Sequence, residues 1–515
     1  MNKPKNVGRK RVIVLGLDGG TWNKILPLVE EKKLPFFGEL LENHAYGNLK
    51  STILPITCVA WPSMFTGKNA GKFGLFDFGE IKDYNIGYYQ SSYDIKAKFL
   101  WEHLQENGLK CGIINIPLSS PFRSEIEFGE GDHLRKDWRN FSWSEDTSAG
   151  LDSRNPNFDS RMLYLLDLRF DQLDFILKNK EFDFLAMNVF TNDTILHFRW
   201  DNDEYIEKAL KKIDSRLEKF IKKLDENTTT FIVSDHGMGK ADKFFHINNW
   251  LENKGFLKLK KEKKTNTISK IGITKKNFNR FVSVPLNSFL LKTKLMRFIP
   301  NIARNKFRNF RNNLSEKESC PFKKLKESID WEKTTAYGLG SKGSIFINLK
   351  NREKNGSVEK EDYDKIREDI IRKLKESFKE EEISTYKKED VYNGPHVNKA
   401  ADILFIINDG AISSKSNYLF SKDIFSLAKK NEIQADHQLN GIFVAHGKDI
   451  KKSKINASIY DITPTILHIF DIPVPKDMDG KVLTEIFKEN SSFSRQITYE
   501  DEKKLIKNVI DEISF

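Results

Sequence analysis

The sequence predicts an α/β protein built on a doubly wound, mostly parallel sheet. Short apolar runs that end in Asp or Gly alternate along the chain with longer amphipathic stretches. Such runs are typical of parallel strands buried on both faces, and the stretches between them are typical of the covering helices. The 515 residues, 39% of them hydrophobic, supply enough apolar surface for a large core and exclude a disordered chain.

Six apolar runs are predicted to be strands, and five amphipathic stretches are predicted to be helices. The predicted strands are 11–17, 112–116, 184–189, 229–234, 403–407 and 441–445. The predicted helices are 96–106, 160–179, 203–224, 361–378 and 459–470. Strands and helices that alternate in this way build a sheet with helices on both faces.

One segment, residues 255–327, breaks this alternation. It begins with the lysine-rich run KLKKEKK and is interrupted by Pro285 and Pro300, so we interpret it as a basic inserted lid. The predicted organisation is a core formed by 8–254 and 328–490, the inserted lid 255–327, and a helical C-terminal tail at 491–515.

The net charge of +12 originates in the inserted segment. Residues 258–326 hold 20 Lys and Arg but only 3 Glu, which leaves the rest of the chain slightly acidic. Three roles are open: a solvated lid that favours acidic substrates, peripheral contact with an anionic membrane, and nucleic-acid binding. The run SFLLKTKLMRFI interleaves apolar and basic residues as an interfacial helix does. Nucleic acid is the least favoured partner, because the segment has no recognisable reading motif.

Cysteine usage and hydropathy bear on the cellular compartment. The three cysteines lie far apart in the sequence, cannot form a disulfide framework and indicate a reducing compartment. The first apolar run is too short for a secretory signal, and no stretch approaches the ~18 to 20 apolar residues of a membrane span. We therefore expect a cytoplasmic protein, with peripheral membrane contact through 258–326 as a further expectation.

Acidic and histidine residues follow three of the predicted strands. Asp18 ends the run VIVLGLDGG, Asp235 and His236 follow TTTFIV, and Asp193 and His197 lie in DTILH just after FLAMNVF. Strands of one doubly wound sheet place such residues at the same edge, where α/β proteins build their sites. Carboxylates and imidazoles are ligands for first-row divalent ions, so two metal sites are predicted at this edge.

Each of these residues also has an ordinary structural interpretation. Asp18 could cap the next helix, Asp235 and His236 could form a simple turn, and the DTILH pair could lie on a solvated helix face. The metal-site prediction therefore depends on all three motifs meeting at one edge.

The motifs LGLDGG, LPITCVAWPSMFTGKNAGKFGLFDF, DTILH, SDHGM and HQLNGIFVAHG together resemble the alkaline phosphatase superfamily. Within it, the chain resembles the type I phosphodiesterase and nucleotide pyrophosphatase branch, in particular prokaryotic proteins described as predicted phosphohydrolases or phosphomutases. The resemblance runs from about residue 11 to 485, keeps the order of the family's motifs, and implies an alkaline phosphatase-like fold.

The resemblance implies one set of ligands for each of two divalent ions. The first set is Asp18, Thr57, Asp235 and His236, and the second set is Asp193, His197 and His437. It also implies that Thr57, in PITCVAW, is the catalytic nucleophile. Oxygen and nitrogen ligands without cysteine suit Zn²⁺, with Mn²⁺ as the alternative.

The activity that the resemblance implies is that of a metal-dependent phosphoric ester hydrolase. Such an enzyme would cleave a phosphodiester, pyrophosphate-like or phosphomonoester bond of a small-molecule substrate through a phosphothreonine intermediate. Two alternatives remain open: a phosphomutase that uses the same site, and a non-catalytic metal-binding scaffold at an anionic membrane surface. His246, Lys72 and Arg199 are further candidates for substrate binding.

Overall fold

The structure is a computed structural model, and it describes residues 9–88, 91–130, 153, 155–260, 326–416, 422–428 and 433–500. Two large sheets organise this part of the chain. The first sheet has eight strands, and the second has seven. Helices cover the first sheet, so the predicted α/β class is confirmed.

The first sheet carries most of the predicted strands. Its order across the sheet is Ser453–Ser458, Ala45–Lys50, Asn440–His446, Thr228–Val233, Arg11–Gly16, Phe184–Asn188, Cys111–Ile114 and Phe128–Glu130. The five strands from Thr228–Val233 to Phe128–Glu130 run parallel to one another. Asn440–His446 runs antiparallel to the strands on both of its sides. The sheet is therefore mostly parallel, as the sequence predicts.

Alternate residues of the strand Arg11–Gly16 enter two different hydrophobic cores. Val12 and Val14 pack into the core on one face, whereas Ile13 and Leu15 pack into the core on the other. All four side chains are buried. Because both faces of the sheet are covered, the sequence of this strand is an unbroken apolar run.

The second sheet corrects one expectation, because the predicted strand 403–407 belongs to it. The order along this sheet is Ala336–Gly338, Ser344–Ile347, Ile403–Ile407, Ile412–Lys415, Lys243–His246 and Phe425–Leu427, with Ile383–Lys387 paired alongside Ile403–Ile407. Ile403–Ile407 is buried at every position, as are the central parallel strands of the first sheet. Its apolar pattern therefore could not reveal which sheet it joins.

Twelve α-helices lie within the described residues. They are Trp22–Glu30, Pro35–Asn43, Thr57–Thr66, Ala70–Phe73, Leu100–Glu106, Phe158–Asn179, Thr191–Arg199, Asp203–Ile221, Ile247–Asn253, Tyr363–Ser377, Lys388–Val391 and Ile462–Ile469. The five predicted helices each correspond to one of these, with shorter bounds in most cases. In the described part of the chain, no helix combines the length and apolarity needed to cross a bilayer.

The inserted segment begins and ends at neighbouring points. The Lys260 amide donates to the Ser328 carbonyl (2.8 Å), and the Asp330 amide donates to the Lys258 carbonyl (2.8 Å). Residues 261–325 lie outside the described residues, so the lid and its membrane contact stay predictions from the sequence. The cytoplasmic location also stays a prediction. In the predicted tail, Ser492–Ser494 forms a 3₁₀ turn and Tyr499 bridges to Val474, while 501–515 lie outside the described residues.

Candidate active site

Three adjacent parallel strands deliver the acidic residues to one edge of the first sheet. Asp18 follows Arg11–Gly16, and Asp235 follows Thr228–Val233. Asp193 lies in the first turn of the helix that follows the third strand, Phe184–Asn188. Since Arg11–Gly16 pairs in parallel with both neighbours, the three carboxyl ends meet.

Thr57 and His437 reach the same edge by different routes. Thr57 is the first residue of the helix Thr57–Thr66 and is 4% exposed. His437 lies on the short strand Ala435–Gln438, where it pairs with Met238, just beyond His236. An antiparallel ribbon thus brings His437 beside residues about 200 positions earlier in the chain.

The first predicted ligand set forms a buried group. The His236 Nε2 atom lies 3.2 Å from Asp235 Oδ2 and 3.7 Å from Asp18 Oδ1. The Thr57 Oγ1 atom lies 3.1 Å from the same His236 nitrogen. Asp18, Asp235 and His236 are all 0% exposed. One donor atom from each of these three residues lies within 4.8 Å of the others, close enough to share one ion.

The second predicted ligand set is equally compact. The His197 Nε2 atom lies 3.4 Å from Asp193 Oδ1, and the His437 Nε2 atom lies 3.6 Å from the same oxygen. The two imidazole nitrogens are 3.0 Å apart. The His437 ring stacks on His236 with centroids 3.5 Å apart, so the two sets adjoin. The structure therefore brings all seven predicted ligands together.

Backbone carbonyls orient all three imidazoles. The Nδ1 atoms of His197, His236 and His437 lie 2.7, 3.0 and 2.9 Å from the carbonyl oxygens of Ala435, Gly237 and Pro55, respectively. A carbonyl oxygen only accepts, so each Nδ1 carries the proton and each Nε2 presents a lone pair to the cluster. Metal-binding histidines are held in the same way. Two such lone pairs face each other at 3.0 Å in His197 and His437, an arrangement that a cation between them would stabilise.

The carboxylates of the cluster lack partners for some of their oxygens. Asp18 Oδ1, Asp193 Oδ1 and Asp235 Oδ2 are buried without a hydrogen bond. Burial raises the pKa of Asp18 to about 7, and the neighbouring Asp193 carboxylate adds to this shift. Burial also raises the pKa of Asp193 to about 7 and lowers that of His236 to about 3. These donors are suited to a cation that neutralises the carboxylates and accepts the imidazole lone pairs.

Neutral side chains hold Asp18 in place. The Asn188 amide donates to Asp18 Oδ2 at 2.7 Å, and the Trp61 indole donates to the same oxygen at 3.1 Å. The Asn192 amide donates to the Asp18 carbonyl at 2.8 Å. Gly19 has φ of 65°, and a Cβ there would lie 3.1 Å from Asp193 Oδ1, so the close approach of the two motifs favours glycine.

Sequence reasoning missed two charged residues beside the second ligand set. Asp436 precedes His437, and one of its carboxylate oxygens lies within 4.8 Å of the donor atoms of His197 and His437. Asp436 accepts hydrogen bonds from Lys342, from Ser413 and from the His437 amide. The position of Asp436 next to a predicted ligand was a signal in the sequence, whereas nothing local distinguishes Lys342.

The three predicted substrate-binding residues make their hydrogen bonds elsewhere. Lys72 donates to Asp479, Arg199 donates to Asp159, and the His246 ring bonds to the Ser426 hydroxyl. None of these bonds involves a predicted metal ligand. Arg199 follows His197 by two positions, which is roughly 200° around a helix, so its side chain leaves on the other side.

Comparison with solved structures finds the same fold in animal proteins. Murine ectonucleotide pyrophosphatase/phosphodiesterase 5 is 13% identical, with a TM-score of 0.52 over 93% of this chain and 100% of that chain. The human protein of the same name is also 13% identical, with a TM-score of 0.53 and the same coverage. An inactive threonine-to-alanine variant of the murine protein, in complex with AMP, matches at 13% identity and a TM-score of 0.51, covering 90% of this chain and 96% of that chain.

These likenesses confirm the predicted alkaline phosphatase-like fold. Comparison with curated protein sequences gives no match. A family model for type I phosphodiesterase / nucleotide pyrophosphatase matches residues 12–440, which include every predicted ligand. The chain therefore belongs to the type I phosphodiesterase/nucleotide pyrophosphatase family of phosphoric ester hydrolases.

Proposed function

We propose that this enzyme is a two-metal phosphodiesterase that uses Thr57 as a covalent nucleophile. The observation that supports this most directly is the buried cluster of three carboxylates and three imidazoles beside the Thr57 hydroxyl. The carboxylates have unpartnered oxygens, and the imidazoles direct lone pairs inward. Such a donor set is costly to bury unless cations compensate it.

We assign the ligands of the two ions as two sets. Asp18, Asp235, His236 and Thr57 would hold one ion, and Asp193, His197 and His437 would hold the other. Carboxylate and imidazole donors suit Zn²⁺ and Mn²⁺, and we favour Zn²⁺. When bound, such ions supply positive charge that favours ionisation of the threonine hydroxyl and offsets charge on the phosphoryl oxygens.

Thr57 is placed to act as the nucleophile. Its hydroxyl oxygen lies 3.1 Å from His236 Nε2, so both atoms are placed to bind the same ion. It also begins a ten-residue helix, whose N-terminal end carries partial positive charge and favours a phosphoryl group nearby. The Thr57 oxygen would attack phosphorus while the bond to the leaving oxygen breaks, and the Thr57 proton would end on the departing alcohol. The rest of the substrate would stay on Thr57 as a phosphothreonine ester. Water would then cleave the bond between the Thr57 oxygen and phosphorus, which releases a phosphomonoester and restores the hydroxyl.

We place phosphodiesters first among the substrates, before pyrophosphate-like bonds and phosphomonoesters. The family description supports this order, and the murine relative binds AMP, which is a phosphomonoester. Phosphomonoesters of this kind are products of phosphodiester cleavage.

The test compares bis-p-nitrophenyl phosphate with p-nitrophenyl phosphate on protein stripped by a chelator and reconstituted with Zn²⁺ or Mn²⁺. Stripped protein should be inactive, and the diester should be the better substrate after reconstitution. Thr57→Ala should lose at least about 100-fold in kcat, on the scale of removing a nucleophile. Rapid quenching should trap a phosphorylated Thr57 peptide in the wild type.

Thr66→Ala is the matched control, because Thr66 lies at the other end of the same helix. It is fully buried, and its hydroxyl donates to the Pro62 carbonyl at 2.7 Å. This variant should keep wild-type turnover once folded. Wild-type turnover in Thr57→Ala would instead exclude the covalent mechanism.

A further inference from the structure

We propose that Lys342 is a specificity-determining residue whose ammonium group binds a second anionic group of the substrate, one that does not react. This inference rests on the proposed function, since it concerns the same site. It assigns a role to a residue outside the seven predicted ligands and outside the three predicted substrate-binding residues.

The loop that carries Lys342 is anchored from three directions. Asn248 donates to the Gly338 carbonyl at 2.9 Å and accepts from the Gly338 amide at 2.7 Å. Ser416 donates to the Gly340 carbonyl at 2.6 Å. Buried Asp77 accepts from the Ser341 amide at 2.7 Å. The backbone on the N-terminal side of Lys342 is therefore held by side chains from three separate segments.

Close contact with Asp77 holds the backbone just before Lys342 in place. Gly340 has φ of 111°, and a Cβ there would lie 2.5 Å from Asp77 Oδ2. Only glycine fits such a position without displacing the carboxylate. Satisfied buried polar groups of this kind hold a loop in one conformation and so place the side chain after them with precision.

Lys342 reaches the edge of the metal-ligand cluster through Asp436. The Lys342 ammonium bonds to Asp436 Oδ1, and an oxygen of that carboxylate lies within 4.8 Å of donor atoms of His197 and His437. Within the described residues, Asp436 is the single hydrogen-bond acceptor of this ammonium. An ammonium group has three N–H donors, so two remain for a ligand.

Asp436 does not depend on Lys342 alone. The carboxylate also accepts hydrogen bonds from the Ser413 hydroxyl and the His437 amide. These bonds keep Asp436 oriented while it fixes the ammonium group in position. One N–H of the Lys342 ammonium is therefore bonded to Asp436, and the other two can bind a ligand.

A cleft opens beside this ion pair. Lys342, Asp436, His437 and Ser414 line it together with apolar side chains such as Leu54 and Phe405. Among the described lining residues, Lys342 is the single Lys or Arg and Asp436 the single acid. A substrate that reaches the cluster past His437 would meet apolar walls and one fixed positive charge, which suits an organic group ending in an anion.

The test uses two diesters with the same leaving group, p-nitrophenyl phenyl phosphate and p-nitrophenyl 4-carboxyphenyl phosphate. They differ only in a carboxylate remote from phosphorus. Metal-reconstituted wild type should prefer the carboxylate-bearing ester in kcat/KM. In Lys342→Met this preference should fall at least about tenfold, on the scale of losing one charge-assisted contact.

Three further variants make the test decisive. Lys342→Arg should keep part of the preference, because it keeps the charge. Lys342→Met with Asp436→Asn removes both charges of the ion pair, so that Asp436 is not left as an unpaired buried carboxylate. This double variant should also lose the preference. Lys399→Met removes a lysine that pairs with Glu80 at 2.8 Å outside this cleft, and should keep the preference.

The possible results separate the inference from the function on which it rests. The role of Lys342 would be overturned, without affecting the proposed function, if the wild type lacked the preference for the carboxylate-bearing ester. The same holds if the preference survived in Lys342→Met and in Lys342→Met with Asp436→Asn. An equal loss of kcat/KM for both esters in Lys342→Met would show that Lys342 is only a structural partner of Asp436. Absence of metal-dependent hydrolysis of either ester would overturn the proposed function as well.

Discussion

Two buried aspartates, Asp18 and Asp402, lie in opposite electrostatic surroundings. Both are 0% exposed. Asp402 is bound by Arg352 through both oxygens, at 2.8 and 2.7 Å, by Lys388 at 2.9 Å, and by the Tyr363 hydroxyl at 2.6 Å. Burial alone would raise the pKa of Asp402, but the cations lower it to about 2, with Arg352 contributing most.

Among the described residues, Asp18 has no Lys or Arg partner of this kind. Its side chain receives hydrogen bonds from two neutral groups, Asn188 and Trp61, and its pKa is raised to about 7 by burial and by the nearby Asp193. The chain thus supplies its own cations where a carboxylate only holds the fold together. Within the described residues, no Lys or Arg forms an ion pair with Asp18, Asp193 or Asp235, and Lys342 at the edge of their cluster pairs with Asp436. External cations would supply the missing compensation around Thr57.

The largest expected effect is that of Asp18→Asn. This change should lower kcat/KM for bis-p-nitrophenyl phosphate by at least about 100-fold, because it removes a proposed metal ligand. The same change should raise the thermal midpoint of the metal-free protein, since asparagine has the same shape and no charge to bury. Calorimetry after chelation measures the second effect. A less stable metal-free variant would show that Asp18 is already compensated within the protein.

Asp402→Asn should have the opposite effects, a loss of stability without a loss of activity. It leaves Arg352 and Lys388 with a neutral partner, so unfolding in urea should show a loss of about 3–5 kcal/mol, the cost of breaking a buried ion pair. The folded fraction should keep its kcat/KM, because Asp402 makes no hydrogen bond to the metal-ligand cluster. Wild-type stability in Asp402→Asn would show that the ion pairs of Asp402 do not stabilise the fold, and would contradict the proposed difference between Asp402 and Asp18.

Asn188→Ala should have a smaller effect than loss of Asp18 itself. It removes the 2.7 Å hydrogen bond that orients the Asp18 carboxylate. Partners of this kind are worth about 10- to 100-fold in metal affinity or activity. Titration with Zn²⁺ should restore much of the activity at high metal concentration. If saturating metal recovers nothing, Asn188 acts on the reaction by another route.

The smallest expected effect is on the pH dependence of stability. In metal-free protein, the stability gained by Asp18→Asn over wild type should grow from about pH 4 to about pH 7 and then stay level. The unfolded Asp18 ionises near its usual pKa of 3.8, while the folded one keeps its proton up to about 7, so wild type loses stability across this window. Urea unfolding at several pH values measures the difference, and a constant gain would contradict the raised pKa.

Local sequence patterns were sufficient to predict the α/β class, the positions of the strand ends, and the three motifs that carry Asp18, Asp193 and Asp235. These follow from local periodicity, because parallel strands buried on both faces are apolar throughout and end where polar residues begin. Thr57 and His437 were identified through the family resemblance, since no local pattern distinguishes them from an ordinary turn threonine and a loop histidine.

The second sheet, the orientation of the imidazoles, and the pairing of Lys342 with Asp436 became visible only in the folded structure. Lys342 and Asp436 are 94 positions apart, and their contact depends on how a loop of the second sheet meets the ribbon that carries His437. Hydrophobic periodicity reports which face of an element is buried, but not which distant element covers it. The charges that compensate Asp402 and are missing around Asp18 are therefore visible only once the chain is folded.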